Sequence, residues 1–94
     1  YDLSAINTPG AKDLKIFPNP VQDRLNIESA VFTNGVTRIS ISDPLGRVVL
    51  ATSITVSNGH LAAQLDMHNL TGGLYLIKVT DADAKEWKYK CIKN

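Results

Sequence analysis

The clearest structural signal in the chain lies at residues 75–93, which read YLIKVTDADAKEWKYKCIK. Apolar and polar residues alternate on both sides of a short polar connection, Asp81–Lys85. Alternation with a period of two is typical of β-strands that bury one of their faces. The pattern predicts two strands, residues 75–79 and 86–93, joined by a solvated turn.

The last of these strands divides its side chains unevenly. Lys88 and Lys90 alternate with Trp87, Tyr89 and Cys91, so that one face is cationic and the other is aromatic. Two interpretations are open. The strand is either a solvated edge that lysine protects from aggregation, or an edge that a partner recognises by adding a strand of its own.

Similar alternation runs through the residues that precede this pair of strands. The segments are residues 23–28, 37–42, 47–50, 54–56 and 61–67. No segment has the spacing of an amphipathic helix. The sequence therefore predicts an all-β fold, an immunoglobulin-like antiparallel β-sandwich of about seven to eight short strands.

Turn-forming residues separate the predicted strands. Pro18, Asn19 and Pro20 interrupt one strand and restart it at a bend, because each proline fixes φ and lacks an amide donor. The segment from Asp43 to Gly46 has the proline and glycine positions of a type I turn. Asn58-Gly59 predicts a tight hairpin. These residues are structural in this interpretation.

Length and composition limit what the protein can be. The 94 residues are 44% hydrophobic and 20% charged, which fits one domain. A net charge of +1 argues against a nucleic-acid partner, and the single cysteine cannot form an internal disulfide. Because the chain begins at Tyr1 and its only methionine is Met67, we expect it to be part of a longer protein.

The sequence contains no recognisable catalytic or metal-binding pattern. His60 and His68 lack the spacing of metal ligands, and no serine, histidine and aspartate suggest a nucleophilic triad. Asp81 and Asp83 fit a solvated turn better than a calcium loop. The uncharged residues 48–65 contain too many polar groups for a membrane span. The sequence predicts no enzymatic activity, no cofactor, no metal and no membrane insertion.

Two segments carry further expectations. Residues 1–13 combine Pro9 and Gly10 with small and polar residues, which is typical of a flexible linker before a domain at residues 14–94. Tyr75 follows a glycine pair. It is either a core residue or a tyrosine corner whose hydroxyl caps a loop carbonyl.

Four motifs in order resemble those of one family, the type A C-terminal sorting domains of the type IX (Por) secretion system of Bacteroidetes. The first is Leu14-Lys15-Ile16-Phe17-Pro18-Asn19-Pro20-Val21-x-Asp23-x-Leu25-x-Ile27. The second is Ile39-x-Ile41-x-Asp43-x-x-Gly46-Arg47-x-Val49, and the third is Leu70-x-x-Gly73-x-Tyr75-x-Ile77-x-Val79. The fourth is Lys88-x-Lys90-x-Ile92-Lys93, where Trp87 and Tyr89 replace the smaller residues usual in the family.

The resemblance implies a non-catalytic secretion signal. Such domains follow a cargo domain of the same chain, which crosses the periplasm and reaches the outer-membrane surface or the medium. A sortase-like peptidase usually removes the signal. On this chain the resemblance implies cleavage within Thr8, Pro9, Gly10, Ala11, Lys12 and Asp13. It implies recognition by the translocon through Gly73, Tyr75, Lys88, Lys90, Ile92 and Lys93.

Alternative functions come from other classes of β-sandwich. A carbohydrate-binding or adhesive module would display exposed aromatic residues, and Trp87 is the first candidate for such a platform. A passive immunoglobulin-like spacer of a surface enzyme would need no recognition surface at all. The last strand also offers the edge through which a weak dimer would form.

Overall fold

The structure is a computed structural model that describes residues 14–94. Seven strands form two antiparallel sheets. They are β1 (Leu14–Phe17), β2 (Arg24–Ser29), β3 (Gly35–Ser42), β4 (Val48–Val56), β5 (Leu61–Asp66), β6 (Gly73–Thr80) and β7 (Glu86–Lys93). The predicted all-β sandwich is confirmed. Residues 14–94 contain no helix that is long and apolar enough to span a membrane.

The strands are distributed between a three-stranded and a four-stranded sheet. The first has the order β1-β2-β5, and the second has the order β4-β3-β6-β7. The two alternating segments predicted at residues 47–50 and 54–56 are joined in one continuous strand, β4, which begins at Val48. Strand β7 has the bounds that the sequence predicts.

The core lies between the two sheets and consists of the apolar residues that alternate along the strands. Fully buried members include Leu25, Ile27, Ile39, Ile41, Leu61, Met67, Ile77, Val79 and Trp87. The Phe32 ring packs against the Trp87 ring with their centroids 5.3 Å apart. Burial of this apolar surface is the main force that holds the sheets together.

The turn at Asn58-Gly59 differs from the hairpin that the sequence predicts. Both residues have positive φ, and the Ser57 carbonyl accepts the N–H of His60 at 3.1 Å. Beyond this turn the two strands separate, because β4 pairs with β3 while β5 pairs with β2. The turn was predicted correctly, but it carries the chain from one sheet to the other.

Candidate recognition surface

Strand β7 forms an edge of the four-stranded sheet beside β6. Its side chains alternate along its whole length. Trp87, Tyr89 and Cys91 are buried in the core, whereas Lys88 and Lys90 are exposed. The division between a cationic and an aromatic face is therefore present as the sequence indicated.

Ile92 and Lys93, the last two residues of β7, have opposite orientations. Ile92 points outward and is 44% exposed. Lys93 lies on the inner side of the strand and is only 9% exposed, and its Nζ donates to the main-chain oxygen of Asn94 at 2.9 Å. Ile92 therefore offers surface to a partner, while Lys93 offers very little.

Residues 19–21 occupy part of the outer edge of β7. The Val21 N–H donates to the Ile92 carbonyl at 2.8 Å, and the Asn94 N–H donates to the Val21 carbonyl at 2.9 Å. The Oδ1 of Asn19 accepts the Ile92 N–H at 3.0 Å. The Asn19 Nδ2 also donates to the Lys90 carbonyl at 3.5 Å, so strand addition at this edge, including dimerisation, is restricted to the part before Lys90.

The corner at Pro18, Asn19 and Pro20 connects the sheets. The Phe17–Pro18 and Asn19–Pro20 peptide bonds are both cis. The corner leads from β1 in the three-stranded sheet to a bridge between Val21 and Lys93 in the other sheet. The chain then returns to the first sheet as β2. A local sequence signal marks the bend, but it does not reveal which strand the bend approaches.

Tyr75 combines both of the roles that the sequence left open. Its side chain is buried, and its hydroxyl donates to the carbonyl of Thr71. Gly73 lies between them with a φ of 151°, where other residues are rare. A Cβ on Gly72 would lie 3.3 Å from the Lys93 carbonyl oxygen. The glycine pair therefore lets the β6 turn lie close to the end of β7.

Sequence reasoning missed several residues that share the outer face of β7. The strand register sets Lys78 directly opposite Lys88, and Leu76 directly opposite Lys90. Strand β3 is the next strand of the sheet and contributes Arg38 to the same face. Alternation places each residue on the outside of its own strand, but only the pairing of the strands brings them together.

The turn at Asp43 and Gly46 is held by one carboxylate. The Asp43 Oδ1 accepts the N–H groups of Leu45 and Arg47 at 3.0 Å each, and its Oδ2 accepts the Arg47 Nε–H at 2.8 Å. The Arg47 N–H lowers the pKa of the Asp43 carboxyl, burial opposes this, and the guanidinium lowers the pKa further. Gly46 supplies a φ of 88°. Asp43 and Gly46 therefore both have a structural role in this turn.

The turn between β6 and β7 corrects one interpretation from the sequence. Asp81 is only 4% exposed and is not part of a solvated turn. Its Oδ1 accepts the N–H groups of Asp83 and Lys85, and its Oδ2 accepts the hydroxyl of Thr33 at 3.0 Å. The interpretation was wrong for Asp81 because this carboxylate ties its own turn to the connection between β2 and β3.

The part of the chain that the structure describes offers few groups for metal binding or covalent chemistry. No group of three or more metal-ligating side chains occurs within residues 14–94. The Nδ1 of His68 lies 3.1 Å from the Asp23 Oδ1, and both side chains are about 70% exposed. Cys91 is buried, and burial raises the pKa of its thiol.

Aromatic residues contribute little to the surface. Of those within residues 14–94, only Phe17 is exposed, whereas Phe32, Tyr75, Trp87 and Tyr89 are buried. The carbohydrate platform that the alternative function would place at Trp87 is therefore not available, because Trp87 is 2% exposed and packs in the core. The predicted linker and cleavage region, including Thr8 to Asp13, lies outside the residues that the structure describes.

Comparisons with known proteins give one family and one similar fold. A family model described as the secretion system C-terminal sorting domain matches residues 15–94. No curated protein sequence matches the chain significantly.

Similar solved structures include the following two. CopC from Methylosinus trichosporium OB3b has a TM-score of 0.55 at 18% identity, covering 86% of this chain and 93% of CopC. A β-glucosidase from Listeria innocua in complex with glucose has a TM-score of 0.48 at 12% identity, covering 86% of this chain and 16% of that enzyme. The first similarity shows the fold alone, and the second is too low to support an argument.

Proposed function

The chain belongs to the secretion system C-terminal sorting domains, and on that basis we propose that the type IX translocon recognises it in its folded form. Members of this family are non-catalytic sorting signals that direct a protein toward the cell surface or the extracellular space. The chain accordingly has no catalytic task of its own in this proposal. The observation that supports recognition of a folded shape is the edge strand β7, whose inner side chains belong to the core while its outer side chains are exposed.

The proposed recognition residues have different roles. Gly73, Lys88, Lys90 and Ile92 offer accessible surface to the translocon. Tyr75 and Lys93 act indirectly, since both lie largely inside the molecule. Tyr75 fixes the turn before β6 through the Thr71 carbonyl. The recognised feature would then be the joint surface of the β6 turn and the outer face of β7.

Processing completes the proposal. The cargo domain precedes this chain and crosses the periplasm before it reaches the outer membrane. A sortase-like peptidase cuts within residues 8–13, whose small and polar composition is typical of a linker that such an enzyme can reach. Cleavage there would leave every strand of the sandwich intact, since β1 begins at Leu14. The cargo is then attached to the cell surface or released.

Delivery of a reporter protein tests the proposal. We expect a fluorescent protein with an export signal and residues 1–94 at its C-terminus to reach the surface or medium of a Bacteroidetes host. The same fusion should stay in the periplasm of a host without the translocon. Equal delivery with and without residues 1–94, or delivery without the translocon, would contradict the proposal.

A second arm asks whether the folded shape is needed. Deleting residues 88–94 should retain the reporter in the periplasm, but it also removes the core side chains of Tyr89 and Cys91. Ile77→Asp is the matched comparison, because it buries a charge in the core and keeps the whole recognition strand. We expect both variants to be retained. Normal delivery of Ile77→Asp would mean that a linear signal is read instead.

A further inference from the structure

The outer face of the four-stranded sheet carries four of the ten lysine and arginine residues of the chain. We call this surface the basic face. Its charged residues are Arg38, Lys78, Lys88, Lys90 and Glu86. Four cations and one acid give it a charge of +3, whereas the whole chain has +1. The rest of the molecule therefore has a net negative charge. The small overall charge conceals this concentration of positive charge on one side of the molecule.

The basic face sets like charges side by side. Lys78 and Lys88 are direct cross-strand partners. Like charges in this arrangement destabilise a sheet. Lys78 has an ion pair with Glu86, whose Oε2 lies 3.5 Å from its Nζ, while no ion pair of Lys88 occurs within residues 14–94. Folding alone does not favour this concentration of charge. We therefore attribute the concentration of charge to a partner that neutralises it.

Apolar and small residues complete the surface. Leu74, Leu76 and Ile92 form an apolar row that is 36% to 44% exposed beside the lysines. Farther along the sheet, Ser40, Ala51, Ser53 and Thr80 line a shallow depression between Arg38 and Lys78. The depression exists because short side chains lie between long cationic ones. It has room for a side chain from a partner.

We propose that the basic face binds an acidic polypeptide segment that carries apolar side chains beside its carboxylates. Carboxylates would meet Arg38, Lys78, Lys88 and Lys90, and apolar side chains would cover the row at Leu74, Leu76 and Ile92. This proposal rests on the proposed function, because it takes the acidic segment to be part of the translocon. The acidic character of the segment is inferred from its charge complementarity with the basic face.

An acidic polypeptide fits this surface better than an anionic membrane does. Surfaces that bind membranes insert exposed tryptophan, phenylalanine or leucine between lipid headgroups. On the basic face no aromatic side chain is available for such insertion, because Trp87 and Tyr89 point into the core from the other side of β7. Glu86 would also meet lipid phosphates unfavourably, whereas a polypeptide can place an amide or hydroxyl beside it.

The binding experiment uses the full 94-residue chain and a fluorescent peptide. The probe is an extended peptide of about ten residues, roughly the length of one strand, in which glutamate alternates with valine and threonine. A peptide with lysine in place of glutamate is its control. Fluorescence anisotropy is measured at about 0.05 M and about 0.3 M NaCl, because salt screens exposed charges. Sedimentation with phosphatidylglycerol vesicles tests the membrane alternative.

Two double variants remove the same amount of charge from opposite sheets. Lys78→Gln/Lys88→Gln changes the basic face, and Lys15→Gln/Arg24→Gln changes exposed residues of the three-stranded sheet. We expect the first to weaken binding of the acidic peptide about five- to tenfold and the second about twofold or less. Urea unfolding of all three proteins checks that each is folded.

Each outcome decides the proposal independently of secretion. Binding that depends on Lys78 and Lys88 and falls with salt supports it. Absence of peptide binding, equal losses in the two double variants, or dependence on these lysines with vesicles alone would overturn it. Reporter delivery is measured separately. Delivery without peptide binding would support the proposed function and contradict this inference. Peptide binding without delivery would support this inference and contradict the proposed function.

Discussion

Tyr75 shows how one side chain can serve both the core and a loop. Its side chain is buried in the core, and its hydroxyl donates to the Thr71 carbonyl four residues earlier. The bond fixes the turn that Gly72 and Gly73 make beside the end of β7. Tyr89 is buried to a similar extent, and burial raises the pKa of its hydroxyl. No hydrogen bond of that hydroxyl occurs within residues 14–94.

The two tyrosines allow a matched test at this scale. We expect Tyr75→Phe to lower the free energy of unfolding by about 1 kcal/mol, because it leaves the Thr71 carbonyl without its donor. Tyr89→Phe removes a hydroxyl of the same kind and should change it by less than about 0.5 kcal/mol. Urea denaturation followed by tryptophan fluorescence measures both. Equal losses in the two variants would contradict the role assigned to the Tyr75 bond.

At the scale of elements, two hairpin turns repeat one arrangement. In each, an aspartate carboxylate accepts the N–H groups two and four residues later, as Asp43 and Asp81 do. The fourth residue of each turn has positive φ, 88° at Gly46 and 66° at Ala84. Glycine adopts this conformation without steric cost, but alanine does not. The second turn is therefore the more strained of the two.

Substitution at this turn tests the comparison. We expect Ala84→Gly to raise the free energy of unfolding by about 0.5–1 kcal/mol, since the relief of strain exceeds the extra entropy of unfolded glycine. Ala82→Gly lies in the same turn, where φ is not positive, and should lower it by about 0.5–1 kcal/mol. Thermal unfolding of both variants gives the measurement. A loss of stability in Ala84→Gly would refute the strain.

The acid sensitivity of the first turn follows from the pKa of Asp43. Its pKa is lowered in the folded chain, chiefly by the Arg47 N–H. A lowered folded-state pKa stabilises the protein above the usual carboxyl pKa of about 4. This stabilisation is lost as the pH falls from that value through the lowered pKa of Asp43, where the carboxylate that holds the turn is protonated.

At the scale of the whole molecule, the two sheets hold β7 from two sides. Strand β6 pairs with all eight residues of β7, and Val21 reaches across from the corner beside β1 to bond Ile92 and Asn94. The inner side chains of β7 also pack in the core. The proposed recognition strand is consequently part of the cooperative fold and should not detach separately.

Cys91 reports on this behaviour because it is buried in β7. Its exposed fraction is 1%, and burial raises the pKa of its thiol, so that the reactive thiolate is rare. We expect alkylation by iodoacetamide to be slower in buffer than in unfolding concentrations of urea on the order of a thousandfold. A rate in buffer close to that of the unfolded chain would mean that β7 opens locally.

Local sequence patterns predicted most of the strands, their inner faces and the positions of the turns, but they divided β4 into two segments. They could do so because the alternation of a strand and the φ preferences of proline, glycine and asparagine are properties of a few neighbouring residues. The residues of β7 illustrate this, since Lys88 and Lys90 lie outside and Trp87 and Tyr89 inside.

Tertiary structure alone decided which strands became neighbours. It separated β4 from β5 after the Asn58-Gly59 turn, buried Asp81, and brought residues 19–21 to the edge of β7. It also joined Arg38 and Lys78 to Lys88 and Lys90 in one basic face. These arrangements depend on pairing between residues far apart in the chain, where the gain comes from burying both sheets against each other, and no local pattern encodes that choice.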